Sequence, residues 1–328
     1  MLDIQHIEEN IYRVPIPVPF PMKYVYCYLF KEKDGWSVVD AGFHYPEAVE
    51  AWNQAFSYLS LDPKEIRSIY ITHFHPDHFG LAGWMQEVTG APVFISAEDF
   101  AMVNRVWGDD DSKQASHIAV MCKQNGVPED LADQIEEHME KLKKHVLPLP
   151  SLTVLNDQEV TLGGWVWKVI PTPGHSDGLI CFYQPEKQLL LAADHVLDKI
   201  TPNISLWPGC RSNPLRDYFD SLNKVGSLDV HMTLPAHGGI IRYLSKRIDD
   251  IILHHENRLD QMFALVKEGQ TAYQVAEGVF GHKNLTPHQW RFAMAETLAH
   301  LEFLVSTEKL VKITNGEIIQ YQPNLCMV

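Results

Sequence analysis

Apolar residues fall along this chain in two rhythms, short continuous runs that suit strands and spaced stripes that suit helices. Residues 11–14, 24–30 and 36–39 are short apolar strands separated by turns. Between the first two, residues 15–21 carry four prolines, which predicts a stiff loop outside any sheet interior. Ala48, Val49, Trp52, Ala55 and Phe56 recur at helical spacing within 46–59. The run 69–71 predicts a strand, a helix follows over about 78–88 and stops at Gly90, and 91–95 returns to strand.

Residues 97–147 are mostly helical, with Gly126-Val127-Pro128 dividing two amphipathic segments. The second, 131–146, is rich in Glu and Lys and predicts a solvated face. This block reads either as an insert that shapes the substrate region or as a passive outer layer. Strands are expected again at 165–170, 189–193 and 230–234. From about residue 240 the rhythm is helical, and Ile248, Ile251, Ile252, His255, Leu259, Met262, Phe263 and Val266 form one core stripe. Thr271 opens a short helix. Thr286-Pro287-His288-Gln289 combines an N-cap, a proline at the first helical position and a capping-box Gln, and this helix runs to about Val305. Asn315-Gly316 turns a hairpin over 310–321. Helices followed by a hairpin predict a small winged-helix-like domain at 246–328, behind a main domain at 1–245.

Composition narrows the function classes. A chain of 328 residues, 45% hydrophobic and 21% charged, has room for a large domain and a small one. A net charge of −15 argues against a general polyanion-binding surface, and Asp109-Asp110-Asp111 adds local repulsion. Cys27, Cys122, Cys181, Cys210 and Cys326 are scattered without a CxxC pair, which fits reduced thiols. The first residues lack the basic start and apolar core of a signal peptide, and no apolar run is of membrane-spanning length. A cytoplasmic protein without membrane contact is expected.

The densest chemistry lies at Thr72-His73-Phe74-His75-Pro76-Asp77-His78. On an extended chain His73 and His75 project to one side, whereas Asp77 and His78 follow the Pro76 turn and reach a second point. Neutral imidazole and carboxylate are ligands that borderline divalent metals such as zinc prefer. His175 in Pro173-Gly174-His175-Ser176-Asp177, Asp194 after the run 189–193, and His237 in Pro235-Ala236-His237-Gly238-Gly239 each follow a strand-like segment. Such strand ends are rigid platforms for loop-borne side chains.

This ordered set resembles the metallo-β-lactamase superfamily over about residues 7–245, and Val38-Val39-Asp40-Ala41-Gly42 is similar to that family's early strand and Asp-x-Gly turn. The resemblance implies an αββα sandwich. It also implies two divalent ions per chain, zinc foremost, with manganese or iron as alternatives. His73, His75 and His175 would hold one ion and Asp77, His78 and His237 the other, with Asp194 bridging. Asp77 and Asp194 would then stand at the catalytic centre, and a hydroxide shared by the ions would be the nucleophile. No Cys occurs in these motifs, which points to the glyoxalase II-like, dinuclear side of the family.

The implied reaction is hydrolysis of a small thioester, ester or lactone. A phosphodiesterase or ribonuclease is the alternative, and a non-catalytic binding or regulatory protein the third reading. The expected partner is a small molecule and not nucleic acid, with the oligomeric state open and a dimer allowed. Phe20 and Met22 on the early loop, and Trp207 and Arg211 after Asp194, are the expected substrate-facing residues, Arg211 as an anion binder. Asp40 or Asp177 is expected to orient a ligand imidazole. His195 is expected to point away from the metals, His231 to lie in a strand core, and His254 and His255 to face solvent or a neighbouring domain.

Overall fold

The computed structural model describes residues 2–108 and 113–325, so Asp109-Asp110-Asp111 and Cys326 lie outside the described residues. Its first half holds β1 (Gln5–Glu8), β2 (Ile11–Pro17), β3 (Tyr24–Glu32), β4 (Gly35–Val39), α1 (Pro46–Leu59), β5 (Ile66–Tyr70), α2 (Pro76–Phe79), α3 (Ala82–Thr89) and β6 (Val93–Ile95). Then come α4 (Ala97–Val106), α5 (Gln114–Gln124), α6 (Glu129–Lys143), β7 (Leu152–Val154), β8 (Glu159–Leu162), β9 (Trp165–Pro171), β10 (Ile180–Gln184), β11 (Leu189–Ala193), α7 (Pro214–Gly226) and β12 (Met232–Pro235). The chain closes with α8 (Leu244–Leu265), α9 (Ala272–Phe280), α10 (Pro287–Ser306) and the hairpin β13 (Leu310–Asn315) and β14 (Ile318–Pro323).

Two sheets form the sandwich, in the orders β1-β2-β3-β4-β5-β6-β7 and β12-β11-β10-β9-β8, and β13-β14 pair separately. Alternation along the strands builds two layers of core. Tyr28 and Phe30, Ile180 and Phe182, and Leu189 and Leu191 meet Trp167 between the sheets. Their neighbours Cys27, Leu29, Cys181, Tyr183, Leu190 and Ala192 face outward onto helices. Helices thus cover both outer faces of a β-sandwich, the αββα arrangement that the resemblance implies. On one side α1 buries Trp52, whose indole N–H donates to the Ala41 carbonyl at 2.7 Å and so ties the helix to the turn after β4.

Several expectations are corrected by the structure. Pro15 and Pro17 lie inside β2, paired opposite Tyr26 and Tyr24 of β3. β1 pairs only with Ile11 to Arg13, so no strand on that side needs the N–H groups these prolines lack. His231 is exposed just before β12, near Arg242, and not in a strand core. The pattern along the chain gave no sign of β10 or α7. All five β10 residues are buried, so no alternation marks the strand, while α7 starts from the Asn213 cap and Pro214.

The core runs without interruption from β2 and β3 to Met294, Leu298 and Leu304 of α10 and Tyr321 of β14. α10 is buried on nearly every side, Arg291, Thr297 and His300 included. Such a helix is a core element of the fold. Among the described residues no helix is long and apolar enough to cross a membrane.

Candidate metal centre

The site is assembled from the ends of β4, β5, β9, β11 and β12. Asp40, at the end of β4, takes the left-handed conformation with φ of 63°, uncommon outside glycine but tolerated by Asp. Its carboxylate accepts from the Thr72 N–H at 2.8 Å, the Thr72 hydroxyl at 2.9 Å and Nδ1 of His78 at 2.8 Å. The Thr72 hydroxyl, its proton directed at Asp40, accepts in turn from Nδ1 of His73 at 3.0 Å. Nδ1 of His175 donates to the Asn203 carbonyl at 2.8 Å, and Nδ1 of His237 to the Tyr24 carbonyl at 2.8 Å. Each of these four rings is thereby fixed in the tautomer that leaves Nε2 as a lone-pair donor. Of the two acids expected to orient a ligand, Asp40 does so. Asp177 instead accepts from the Arg211 N–H at 2.9 Å.

The seven residues form two groups. Donor atoms of His73, His75 and His175 cluster within 4.8 Å of one another, as do those of Asp77, His78, Asp194 and His237. Nδ1 of His75 faces Nε2 of His175 at 2.9 Å. One oxygen of Asp194 lies 3.5 Å from Nε2 of His175, while the other lies 3.4 Å from His78 and 3.5 Å from His237. Asp194 therefore faces both groups. Nε2 of His73, His78 and His237 and one Asp194 oxygen are buried with no hydrogen-bond partner among the described residues. An orphaned buried polar atom costs about 1–3 kcal/mol, so four converging on one space fit a pair of divalent cations.

Electrostatics divides the groups. Burial, then the neighbouring imidazoles His78 and His75, hold His73 well below the usual histidine range, so it is neutral and ready to ligate. In the other group burial opposes charge, but Asp194, Asp40 and Asp77 together raise His78, and Asp194 and Asp77 raise His237. Burial likewise pushes Asp77 up, yet His78 and His237 overcome it and hold the carboxyl at about 2. Three carboxylates, Asp40, Asp77 and Asp194, thus act on this half of the site, an arrangement that suits a cation.

Backbone geometry aims the ligands. Ala193 has φ of 46°, a strained value for a residue with a side chain, and it swings Asp194 out of β11 into the site. Gly174 has φ of 141°, and a Cβ there would lie 2.5 Å from Cβ of Tyr218 on α7, so only glycine fits beside His175.

Asp99 carries no sign of its role in the sequence. Fully buried near the start of α4, it accepts from the Phe74 N–H at 2.9 Å, the Ser176 hydroxyl at 2.9 Å and the Gly178 N–H at 2.8 Å. It clamps the loop of His73 and His75 to the loop of His175. Burial pushes its carboxyl up to about 7 against those three hydrogen bonds. Its sequence signal, Ser96-Ala97-Glu98-Asp99, reads as a helix start and nothing more.

His75, Asp77, His175 and Asp194 open onto a cavity of about 390 Å³ whose walls include Phe20, Met22 and Trp207. The 97–147 block contributes Met102, Trp107, Ile118 and Met139, and α10 contributes His288, Arg291 and Phe292. Arg211 is not among the lining residues. It is exposed and pairs with Asp217 at 2.7 Å, one turn into α7. A groove of about 790 Å³, lined by Leu2, Tyr24 and Glu50 among others, shares none of the seven donors. His195 is buried against Tyr218, outside both groups. His255 meets His300 of α10 at 3.1 Å, and the adjacent His254 is half-buried.

Residues 21–237 match the Metallo-beta-lactamase superfamily, and residues 259–324 match the Metallo-beta-lactamase-like, C-terminal domain. A probable metallo-hydrolase of Bacillus subtilis strain 168, YqjP, is 25% identical over 88% of this chain and 90% of its own. The metallo-beta-lactamase family protein TTHA1429 from Thermus thermophilus superposes with a TM-score of 0.86 and 31% identity over 97% of this chain and 100% of that one. A beta-lactamase domain protein from Burkholderia ambifaria gives a TM-score of 0.84 and 25% identity, covering 98% and 94%.

Proposed function

The chain belongs to the metallo-β-lactamase superfamily, and on that premise we propose that it is a dinuclear, glyoxalase II-like hydrolase of a small thioester, ester or lactone. The observation that carries this reading is Asp194, whose two oxygens face two donor groups at the end of a mainly apolar cavity. His73, His75 and His175 would hold one divalent ion and Asp77, His78 and His237 the other, with zinc the best match to this mixed imidazole and carboxylate set. Bound there, two ions would supply hydroxide near neutral pH and polarise the scissile carbonyl.

The chain's own residues do the rest. Asp40, Thr72, Asn203 and the Tyr24 carbonyl hold four imidazoles in the ligating tautomer. Phe20, Met22 and Trp207 receive the acyl portion and exclude water, which strengthens every charge interaction at the metal end. On this reading residues 1–245 are the catalytic domain, and 246–328 a winged-helix-like domain that closes the pocket. A nuclease would need a basic track several nucleotides long. Here the cavity walls are largely apolar and the net charge is −15, which favours acyl substrates.

The test is a screen of metal-replete protein against thioesters, esters, lactones, phosphodiesters and single-stranded RNA, with Asp194→Asn protein as the contamination control. Turnover of an acyl substrate that the variant loses is expected. RNA cleavage lost in the variant, with no acyl hydrolysis, would replace this reading by the ribonuclease one.

A further inference from the structure

Arg291 projects from α10 into the cavity that holds the metal end, beside His288 and Phe292, its neighbours three and one positions away on that helix. It is only 8% exposed. Its guanidinium lies over the Phe292 ring at 4.1 Å and the Trp207 ring at 5.2 Å. Those rings hold the plane but leave the N–H groups without acceptors. Nε is buried without a partner, and among the described residues no carboxylate pairs with Arg291. The chain treats its other enclosed guanidinium groups differently. Arg13 donates to Tyr28, Gln5 and the Pro235 and Gly238 carbonyls, Arg247 donates to the Leu197 and Ile200 carbonyls, and Arg258, whose Nη1 also lacks a hydrogen bond, at least faces the Glu296 carboxylate at 3.5 Å.

Two more buried nitrogens at this end are orphaned, Nδ1 of His288 and Nε2 of His138, whose rings stand 4.4 Å apart. A desolvated cation with open donors is costly unless an anion completes it. We propose that Arg291 is a substrate-recognition residue, pairing with a carboxylate that the substrate carries away from the bond to be hydrolysed. One planar guanidinium suits one carboxylate through two parallel hydrogen bonds. Burial and the adjacent Arg291 hold His288 down to about 3, so it adds no second positive charge for a phosphate dianion. Arg291, lowered to about 10 by burial, stays charged at neutral pH. Phe20, Met22 and Trp207 leave an apolar lining for a short chain.

This assignment rests on the acyl-hydrolase reading, and the experiment separates the two. N-acetylcysteamine thioesters of glutarate and valerate differ only at the far end of the acyl chain. Metal-replete wild type is expected to prefer the glutaryl ester by about 10- to 100-fold in kcat/KM, the size of one charge-assisted pair. Arg291→Met should abolish the glutaryl preference, with glutaryl kcat/KM falling at least tenfold more than valeryl kcat/KM and metal content retained, and Arg291→Lys should keep part of the preference. Equal turnover of both esters by wild type would overturn the assignment, and this comparison needs no variant to fold. An equal loss on both esters in Arg291→Met would also overturn it. Calorimetry supplies the independent arm, with glutarate, valerate and propyl phosphate as probes. Glutarate bound at least tenfold more tightly by wild type than by Arg291→Met, with no ester hydrolysed, supports the subsite and sinks the hydrolase reading. Valeryl hydrolysis without glutaryl preference or glutarate binding sinks the subsite alone. Propyl phosphate bound more tightly than glutarate would overturn the choice of carboxylate.

Discussion

The side-chain amide of Asn203 donates to Glu296 on α10 at 3.1 Å, while the carbonyl of the same Asn203 holds Nδ1 of His175 at 2.8 Å. A metal-ligand candidate from the sandwich is thus positioned through a loop residue that a C-terminal helix holds in turn. Glu296→Ala removes the anchor and leaves Arg258, 3.5 Å away, without its partner. It should weaken metal binding several-fold and lower stability by about 1–3 kcal/mol, with Glu296→Gln milder on both counts. Chelator-competition titration and thermal melts read the two effects. Unchanged metal affinity in Glu296→Ala would mean that Asn203 needs no anchor.

Asp194 and His195 are adjacent in sequence and opposite in role. Asp194→Asn should cut metal content toward one equivalent or less and remove most turnover while the fold persists. His195→Ala, a change in the packing against Tyr218, should cost about 1–3 kcal/mol of stability and spare the metals. Elemental analysis beside circular dichroism decides it. Equal metal loss in both would show that the site depends on local packing more than on the Asp194 carboxylate.

Asp40 receives three hydrogen bonds, two from Thr72 and one from His78. Asp40→Ala should weaken metal binding about 10- to 100-fold, because the His78 ring loses the group that fixes its tautomer. Asp40 touches neither donor group's open face, so the effect must arise through His78 and, by way of the Thr72 hydroxyl, through His73. A metal titration with both variants, Asp40→Ala and His78→Ala, tests this: their effects should be strongly non-additive.

The clamp made by Asp99 is sensitive to which atoms accept. An amide in place of its carboxylate would turn one acceptor oxygen into a donor facing either the Gly178 N–H or the Phe74 N–H and the Ser176 hydroxyl. Asp99→Asn should lower stability by roughly 1–3 kcal/mol and reduce metal affinity, with no change in cavity lining. Full metal affinity in a destabilised Asp99→Asn would restrict the residue to a folding role.

pH should act oppositely on metal-free and metal-loaded protein. Folding raises the pKa of His78 and of His237 above the ordinary 6.5 through the nearby carboxylates. That contribution to metal-free stability is fully present below pH 6.5 and is lost as pH rises through the raised values. Metal binding must expel those protons, so affinity should rise over the same interval. The melting-temperature gap between metal-loaded and chelator-treated protein is expected to widen from pH 6 to pH 8.5. A constant gap would show that the carboxylates do not raise these imidazoles.

The grouping of the seven candidate donors is legible because each belongs to a short motif at a strand end, where local sequence and final position coincide. Asp40 was legible for the same reason. Arg291 was not: proximity to Asp194 along the chain favoured Arg211, whereas the space facing the donors is filled by α10 from far downstream. Asp99 was hidden by a capping pattern that explains Ser96 without explaining why the acid is buried. β10 lacks alternation because both its faces are covered, and Pro15 and Pro17 fit a strand only because of an edge that depends on where β1 stops. In each case the missing information is a contact between segments distant in sequence.

The burial of α10 bears on how this protein can be divided. Cutting the chain before α8 would leave all seven donors in place but would strip His288, Arg291 and Phe292 from the cavity and Glu296 from Asn203. It would also expose the part of the core that α10 now covers and leave the Asn203 contact to His175 without its anchor. Conversely, changing the 288–292 face while leaving the sandwich intact alters what the cavity recognises and keeps every donor in place. Part of the cavity wall thus comes from a stretch of the polypeptide that carries none of the seven candidate donors.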